Sequence, residues 1–379
     1  MRISKRLEAL YEAVNPGESV ADIGTDHGYV PILLLQNGIS EKVILSDIST
    51  GSLAKAEENF RQMGIEIPET CFRIGDGLSS IQPGEVDALI IGGLGGRTIR
   101  QILADDPEKT ATYRKLILQP RNNSGELRYY LYRRGYDIRR EILAPEGKFV
   151  CEVIVAVKIT EEKRTPPYDA QDIRWKYPES MISCDPELLG QRIGWLSGRL
   201  LEQVESLRKS KDVPQERIRK LLEQRDYILE LEKRNKQYHE EELKAIWKCN
   251  DKIAEQNFNR LENMDLYNRL TPAVLAYEGI AFQYMAPSVF EIQQFEYLQN
   301  HLRILSAFYG ILKPMDGVTP YRLEMQAKVG IGDAKNLYEY WGELLYRSVI
   351  DDSRIIINLA SKEYSKCIEK YLTPRAILA

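Results

Sequence analysis

The sequence predicts an α/β domain with a doubly wound parallel sheet, then an antiparallel helical hairpin and a partial α+β module. Up to about residue 158, short apolar runs alternate with segments of helical periodicity. After about residue 185 the apolar period becomes purely helical, and from about residue 240 tyrosines and polar loops become frequent. The domain boundaries that we predict from these changes are 1–158, 159–238 and 239–379.

The first domain is predicted from its strands. Apolar runs occur at 19–23, 42–47, 71–75, 86–92, 116–119 and 149–157, and helical patterns lie between them at 52–63, 97–103 and 125–134. This alternation is typical of a parallel sheet with crossover helices. Two further runs, 137–143 and 149–158, flank Pro145-Glu-Gly147 and predict a hairpin that adds an antiparallel edge.

The second domain is predicted from apolar spacing after a polar connector at 160–185. A break at Asp212-Val-Pro214 separates two helical patterns, with Pro214 expected in the first turn of the second helix. The inward positions of the two helices are Leu189, Ile193, Leu196, Leu200, Val204 and Leu207, then Ile218, Leu221, Leu222, Ile228 and Leu231.

Composition excludes several classes of protein. The 379 residues are 43% hydrophobic and 28% charged, no apolar run approaches the ~20 residues of a membrane span, and the N-terminus lacks a signal-peptide core. Five scattered cysteines without a CxxC pair predict neither a disulfide framework nor a metal site, and they favour the cytoplasm.

Charge is uneven along the chain. The net charge is −4, but residues 97–140 contain eleven Lys and Arg against five Asp and Glu. This excess predicts either a solvated helix face or a surface that contacts phosphates. Its members include Arg121, Arg128, Arg133, Arg134, Arg139 and Arg140.

The stretch Val20-Ala-Asp-Ile-Gly-Thr-Asp-His-Gly-Tyr-Val-Pro31 is the most informative motif. An apolar run ends in a glycine turn at Gly24, and about twenty residues later a second run ends in Asp47, whose carboxylate is placed to accept hydrogen bonds from ribose hydroxyls. Asp26 and His27 stand inside the turn, where a purely structural loop favours small residues. We therefore predict a nucleotide site with chemistry at Asp26 and His27.

Four further blocks follow the first in order: Gly75-Asp-Gly-Leu78, Ile91-Gly-Gly-Leu-Gly-Gly96, Leu116-Ile-Leu-Gln-Pro120 and Glu152-Val-Ile-Val155. With these blocks, residues 1 to about 235 resemble the TrmK family of bacterial tRNA adenine-N1-methyltransferases, which use S-adenosylmethionine. The chain departs from the family at Leu94, where the family motif has Met, and at Arg121, where some members have Asn.

The resemblance implies a Rossmann-like methyltransferase domain and a set of site residues. Asp26 is the implied carboxylate for the charge and proton that develop on adenine, and His27 orients it, shares the proton or stacks on the base. The hairpin and the basic stretch are implied to hold tRNA. The implied cofactor residues are Asp22, Gly24, Thr25, Asp47, Asp76, Gly77 and Gly93. The implied substrate residues are Gly95, Gly96, Gln119, Pro120, Arg121, Arg133 and Arg134.

The last 140 residues contain another set of blocks, including Ser306-Ala-Phe-Tyr-Gly-Ile-Leu-Lys-Pro-Met-Asp316 and Asn358-Leu-Ala-Ser-Lys-Glu-Tyr364. They resemble part of the YaaA family of peroxide-stress proteins, which is associated with DNA binding. The family's first strand block and its basic C-terminal block are absent. Arg322, Glu324 and Lys362 form either a polar cleft or a structural ion-pair network.

Three functions are compatible with these patterns. The leading hypothesis is methylation of N1 of an adenine in tRNA, at position 22 of the D-arm by the family resemblance. The alternative is a stress-related DNA-binding protein whose N-terminal domain only binds S-adenosylmethionine. A small-molecule methyltransferase is disfavoured, because the helical hairpin and the basic stretch would then lack a role.

Overall fold

The structure is a computed structural model that describes residues 3–159, 163–209, 214–332, 334–373 and 377–378. The chain divides into two compact units, Met1–His239 (unit 1) and Glu240–Ala379 (unit 2). Each unit has apolar clusters of its own. Among the described residues, no helix combines the length and the apolar character that crossing a membrane requires.

The helices and strands of unit 1 follow the predicted alternation. Its helices are α1 Lys5–Glu12, α2 Tyr29–Gln36, α3 Thr50–Gln62, α4 Gly96–Asp105, α5 Pro107–Ala111, α6 Ser124–Arg133, α7 Ile173–Lys176, α8 Pro186–Arg208 and α9 Gln215–Trp247, the last of which continues past the boundary. Its strands are β1 Val20–Ile23, β2 Val43–Asp47, β3 Phe72–Ile74, β4 Ala88–Leu94, β5 Lys115–Pro120, β6 Tyr136–Glu146 and β7 Phe149–Lys158.

The seven strands form one sheet in the order β3-β2-β1-β4-β5-β7-β6. Strand β1 pairs in parallel with β2 and β4, so that Val20 lies opposite both Val43 and Ala88. Strands β7 and β6 are antiparallel to their neighbours. Because the strand order reverses between β1 and β4, a crevice opens at their carboxyl ends. The prediction of a doubly wound sheet with an antiparallel edge is confirmed.

Helices cover both faces of the sheet. One apolar cluster joins α1, α2 and α3 to it and includes Leu10, Leu34 and Phe60, and the other joins α4 and α6 through Ile99 and Leu127. The hairpin turn is tighter than predicted, because β6 runs through Pro145 to Glu146 and only two residues join it to β7. Gly147 supplies the left-handed conformation of that turn (φ +61°).

Helices α8 and α9 pack antiparallel as predicted. The Arg225 guanidinium donates to Ser197 Oγ at 3.0 Å, while Asn235, further along α9, donates to the carbonyl of Cys184, before α8 begins. The predicted inward leucines and isoleucines supply the buried contacts between them. Helix α9 begins at Gln215, one residue after the predicted first-turn Pro214, and the remainder of the predicted break, Asp212-Val213, lies outside the described residues.

Arg128 corrects the prediction that this arginine belongs to a solvated or phosphate-contacting surface. Its side chain is fully buried, with Nε and one terminal nitrogen donating to Glu141 at 2.9 and 2.8 Å. The same terminal nitrogen donates to Glu152 at 2.6 Å, and Glu152 also accepts from Arg192 of α8. Although burial opposes ionisation, Arg192 and Arg128 hold the pKa of Glu152 at about 2. This network fastens the β6–β7 hairpin to α6 and α8.

Unit 2 contains short elements only. Its helices are α10 Asp251–Glu262, α11 Ala273–Ala276, α12 Ile280–Met285, α13 Ile292–His301, α14 Leu337–Trp341, α15 Leu344–Val349 and α16 Lys362–Glu369. Its strands are β8 Thr271–Pro272, β9 Ile304–Ser306, β10 Gly310–Leu312, β11 Gly317–Val318, β12 Ile355–Ile356 and β13 Ile377–Leu378. The β-like run predicted at 353–359 is a strand over two residues only, because its described partner β13 pairs with just those two.

The five cysteines are free thiols. Cys184 of unit 1 and Cys367 of unit 2 are buried, and Cys151 is half-buried in β7. Burial raises the pKa of Cys151 and of Cys367 to about 11 and that of Cys184 to about 12.

Candidate active site

The crevice of unit 1 is bordered by acidic residues at the ends of three strands. Asp22 is the second-to-last residue of β1, Asp47 ends β2, and Asp76 follows β3. Strands β1, β2 and β3 are neighbours and parallel, so their carboxyl ends meet at one edge of the sheet. The backbone N–H of Gly75 donates to the Asp47 carbonyl at 3.1 Å, which joins the turn that holds Asp76 to the end of β2.

The turn after β1 is held against β2 by its backbone. The N–H groups of Gly24 and Thr25 both donate to the Ser46 carbonyl, at 2.8 and 3.2 Å. Gly24 has φ +77°, which disfavours other residues, and a Cβ there would meet only Leu94 within 4 Å, at 3.9 Å. Open space therefore lies beside this turn. Thr25 Oγ1 is buried, and the group beside it that affects its chemistry is the Asp22 carboxyl, whose pKa the hydroxyl lowers.

Asp22 is the titrating group of the crevice. Burial raises the pKa of its carboxyl to about 6, the neighbouring Thr25 hydroxyl lowers it, and the negative charge of Asp47 adds to the rise. A carboxyl in such a position gains from a bound cation, because the cation offsets the cost of ionising in a low-dielectric environment. Such a perturbed carboxyl in a crevice is a typical feature of binding sites.

Asp26 and His27 meet as the sequence predicts, and a lysine joins them. His27 Nε2 lies 3.1 Å from Asp26 Oδ2, and Lys55 Nζ of α3 lies 3.4 Å from Asp26 Oδ1. The His27 ring stacks on Tyr29, and the side chain of Asn59 donates to the His27 carbonyl at 2.9 Å. The Asp26 side chain is 60% exposed, so solvent screens its charge. Sequence reasoning missed Lys55, since nothing in a one-dimensional pattern separates it from a solvated helix lysine.

Gln119 shapes the glycine-rich segment Gly92–Gly96, which begins in the last residues of β4. This side chain is buried, and its Oε1 accepts from the Gly93 N–H at 2.9 Å and from Arg6 at 3.4 Å. A Cβ at Gly93 would meet only Arg121 within 4 Å, at 3.8 Å, so this part of the loop faces open space. Gln119 therefore positions the loop; together with Pro120 it is buried at the end of β5.

Gly96 is glycine for a structural reason. Its N–H donates to the Asn122 carbonyl at 2.9 Å, and a Cβ would lie 2.5 Å from that oxygen and 2.7 Å from the Asn123 carbonyl oxygen. Both oxygens belong to the backbone and cannot move aside as a side chain can. Gly95 lies beside the same loop, where a Cβ would meet Asn122 Oδ1 at 3.2 Å. The predicted substrate role of these two glycines stays a prediction.

The predicted substrate arginines lie at two separate places. Arg121 is exposed and follows β5, next to Gly93, at the crevice edge. Arg133 and Arg134 lie at the far end of α6, which runs back from the carboxyl end of β5. The Arg134 carbonyl accepts from Lys158 Nζ, and the Lys158 N–H donates to the Arg114 carbonyl, just before β5 begins. These two arginines therefore do not border the crevice.

Two of the three polar residues predicted for unit 2 form an ion pair. Arg322 and Glu324 approach to 3.6 Å, and the Arg322 guanidinium also donates to the Trp247 carbonyl at 3.4 Å. Lys362 is exposed at the start of α16. These contacts of Arg322 favour a structural ion-pair network over a polar cleft.

The fold and the crevice are those of a Rossmann-like domain, and comparison with known proteins shows similarity to methyltransferases. The family model described as "Methyltransferase domain" matches residues 3–154. A crystal structure from Streptococcus pneumoniae, of a protein proposed to be a tRNA (m1A22) methyltransferase, is 26% identical with a TM-score of 0.51. The B. subtilis M1A22 tRNA methyltransferase TrmK is 25% identical, also with a TM-score of 0.51. Both comparisons cover 61% of this chain, and 99% and 98% of the other chain.

The remainder of the chain matches a different family. The family model "Peroxide stress protein YaaA" matches residues 202–377. A UPF0246 protein of Agathobacter rectalis is 93% identical over 135 residues, which are 36% of this chain and 54% of the relative. One from Lachnoclostridium phytofermentans is 62% identical over 133 residues, 35% of this chain and 52% of the relative. The chain is thus similar to methyltransferase domains over residues 3–154 and to the YaaA family over residues 202–377, and it spans about half the length of these curated relatives.

Proposed function

We propose that unit 1 methylates N1 of an adenine in tRNA with S-adenosylmethionine as the methyl donor. The observation that supports this most is the crevice itself: acids at three strand ends, the open turn at Gly24 and the Asp26–His27 pair lie along one sheet edge. The two solved relatives described as tRNA (m1A22) methyltransferases support the substrate class. Adenine at position 22 is proposed from these relatives and from the family resemblance.

The residues present fit this cofactor. Thr25 Oγ1 is a buried hydroxyl beside Asp22, and the carboxyl of Asp22 gains from a positive charge next to it. We assign Asp22, Gly24 and Thr25 to the amino-acid end of the cofactor, Asp47 to its ribose, and Asp76 with Gly77 to its adenine. When bound, S-adenosylmethionine supplies an electrophilic methyl group. Gly93 leaves the space in which a base can approach it.

The chain's own contribution to the reaction is orientation and charge. The adenine ring becomes cationic at N1, and the Asp26 carboxylate is the group that stabilises this charge and accepts a proton from N6. His27, at 3.1 Å, holds the carboxylate in place. Because Asp26 is exposed in the free protein, the tRNA must cover it, which removes water and strengthens the interaction. N1 lies on the Watson–Crick edge, so a paired adenine must first leave its stack.

The decisive experiment is methyl transfer from labelled S-adenosylmethionine to an unmodified tRNA transcript, followed by nucleoside analysis. We expect label in 1-methyladenosine, and none when adenine 22 is changed to guanine. Label in another nucleoside would overturn the N1 assignment. Absence of label from a chain that binds the cofactor would overturn the enzyme assignment and favour the alternative, a DNA-binding protein with a cofactor-binding domain.

A further inference from the structure

A second groove of unit 1 lies away from the crevice, on the solvent face of α6. It encloses about 420 Å³. Aromatic side chains from three segments meet here: the Trp175 ring is contacted edge-on by Tyr129, Tyr132 and Tyr168, with ring centroids 5.5–6.0 Å apart. The groove is lined by Tyr129, Pro166, Pro167, Tyr168, Asp169, Ala170, Asp172 and Arg174.

The groove presents a fixed guanidinium plane. The Arg174 guanidinium carbon lies 3.5 Å from the centroid of the Tyr168 ring, and its nitrogens donate to the two oxygens of Asp172 at 2.8 and 2.6 Å. Asp172 itself is the N-cap of α7, and Trp175 Nε1 donates to the Asp169 carbonyl at 3.1 Å. The side chain of Arg174 nevertheless remains 42% exposed. The plane is therefore preorganised, and a ligand can reach it.

The ion pair decides what this plane can recognise. Asp172 neutralises the Arg174 charge and occupies the Nε/Nη2 edge of the guanidinium, which weakens its attraction for phosphate. What remains is a flat, polarisable surface beside aromatic rings. Such surfaces in RNA-binding proteins stack unpaired bases. The chemistry of the groove therefore favours a nucleobase over a phosphate.

The groove also connects to the crevice along α6. A Cβ at Gly125, in the first turn of α6, would lie 3.2 Å from the Lys176 backbone nitrogen, at the end of α7. The loop immediately before α6 contacts Gly96 beside the crevice. Tyr129 follows Gly125 by four residues, or about 6 Å of helix. A strand leaving the crevice edge can therefore follow this helix into the groove.

We propose that this groove binds an unpaired nucleobase of the tRNA substrate by stacking on the open face of the Arg174 guanidinium, whose other face lies against the Tyr168 ring. The proposal rests on the proposed function, since it identifies a second contact with the same RNA. It places a base-stacking site outside the crevice, and it explains the aromatic character of a surface that a small-molecule methyltransferase would not need.

The test uses the full chain with Arg174→Lys, Arg174→Ala and Tyr168→Ala. Because the loss of a stacking partner weakens base binding, we expect KM for the transcript to rise about tenfold with kcat and cofactor affinity unchanged. Arg174→Lys keeps the charge and loses the plane, and should match Arg174→Ala without altering the salt dependence of binding. The matched control is Arg347→Ala, an exposed arginine of unit 2 whose guanidinium is held by Glu343. A wild-type KM for Arg174→Lys or Tyr168→Ala overturns the proposal.

A second probe separates this proposal from the proposed function. A fluorescein-labelled adenosine hexanucleotide should bind the wild-type chain more tightly than an abasic hexanucleotide, and Arg174→Lys should remove the difference. If the chain shows this preference but methylates no tRNA, the groove proposal stands and the enzyme assignment is rejected. If the chain is an active enzyme but binds both hexanucleotides equally, the groove proposal is rejected and the enzyme assignment stands.

Discussion

Unit 1 and unit 2 differ in how completely their strands are paired with one another. In unit 1 seven strands form a single sheet with helices on both faces, and β1, β4 and β5 each have a neighbour on both sides. In unit 2 the described strands form three separate pairs of two or three residues. Large apolar side chains are exposed beside them, including Ile357 at 71% and Leu359 at 75%. Burial of apolar area is the main stabilising contribution to folding. The strands of unit 1, which lie between two layers of helices, therefore gain more of this stabilisation than the short strand pairs of unit 2.

The two units also differ in their matches to known families. The methyltransferase model matches residues 3–154 of unit 1, and the solved methyltransferases are covered almost completely. The YaaA model matches residues 202–377, from α8 of unit 1 through unit 2, and the chain spans about half of the curated UPF0246 relatives. The region with a complete sheet is thus the region with a complete structural counterpart. We infer that activity resides in unit 1 and that unit 2 is the less stable region.

The largest expected effect is on the stability of unit 1. Arg128→Ala leaves Glu141 buried without its cation and should reduce the free energy of unfolding of unit 1 by about 3–5 kcal/mol. Hydrogen–deuterium exchange of peptides from each unit measures this directly. Peptides of unit 2 should be unchanged.

Arg219→Ala is the control for that substitution, because its ion pairs with Glu216 and Glu223 are solvent-exposed. Exposed pairs contribute at most about 1 kcal/mol. Equal destabilisation by the two substitutions would show that the buried network does not hold the hairpin to its helices.

The second-largest expected effect is on methyl transfer, which should depend on Asp26. Asp26→Asn removes the carboxylate charge with little change of shape, and we expect kcat to fall about a hundredfold or more, with cofactor affinity retained. The comparison variant is Asp352→Asn, an exposed aspartate of unit 2, which should leave kcat unchanged. Full turnover by Asp26→Asn would exclude this carboxylate from the reaction.

The pH dependence of cofactor binding is a smaller effect. Asp22 has a raised pKa of about 6, so it loses charge as the pH falls through that value. Only about a quarter of the molecules keep the charge at pH 5.5, against nearly all at pH 7.5, and affinity for the cationic cofactor should fall about fourfold. Isothermal titration at the two pH values measures it. In Asp22→Asn the ratio should approach one; an unchanged ratio would assign the dependence to another group.

The smallest expected effect is from removing unit 2. A chain that ends at Glu242 keeps His239, whose ring contacts the Cys184 carbonyl at 2.9 Å, and it should retain kcat and KM within about twofold. The assay is transcript methylation by the two chains at equal concentration. A large loss would mean that unit 2 contributes to the reaction.

Much of the sheet and part of the site could be predicted from sequence, because both depend on local signals. Strand-end acids and the glycine turn at Gly24 stand at fixed positions in the chain. Arg128 could not be placed, since its partners Glu141 and Glu152 reach it only after the hairpin folds back. Lys55 was missed for a similar reason, as its contact with Asp26 spans 29 residues. The ends of α6 separate Arg121 from Arg133 and Arg134, although all three share one basic stretch.

The buried thiols have a consequence for oxidative chemistry. The thiolate attacks an oxygen of hydrogen peroxide, and a cysteine whose pKa is raised has almost no thiolate at neutral pH. Cys367 lies in the segment that matches the peroxide-stress family, yet its pKa of about 11 keeps it protonated, as with Cys151 of unit 1. Cys367 is therefore a packing residue, and we do not expect hydrogen peroxide to oxidise its thiol.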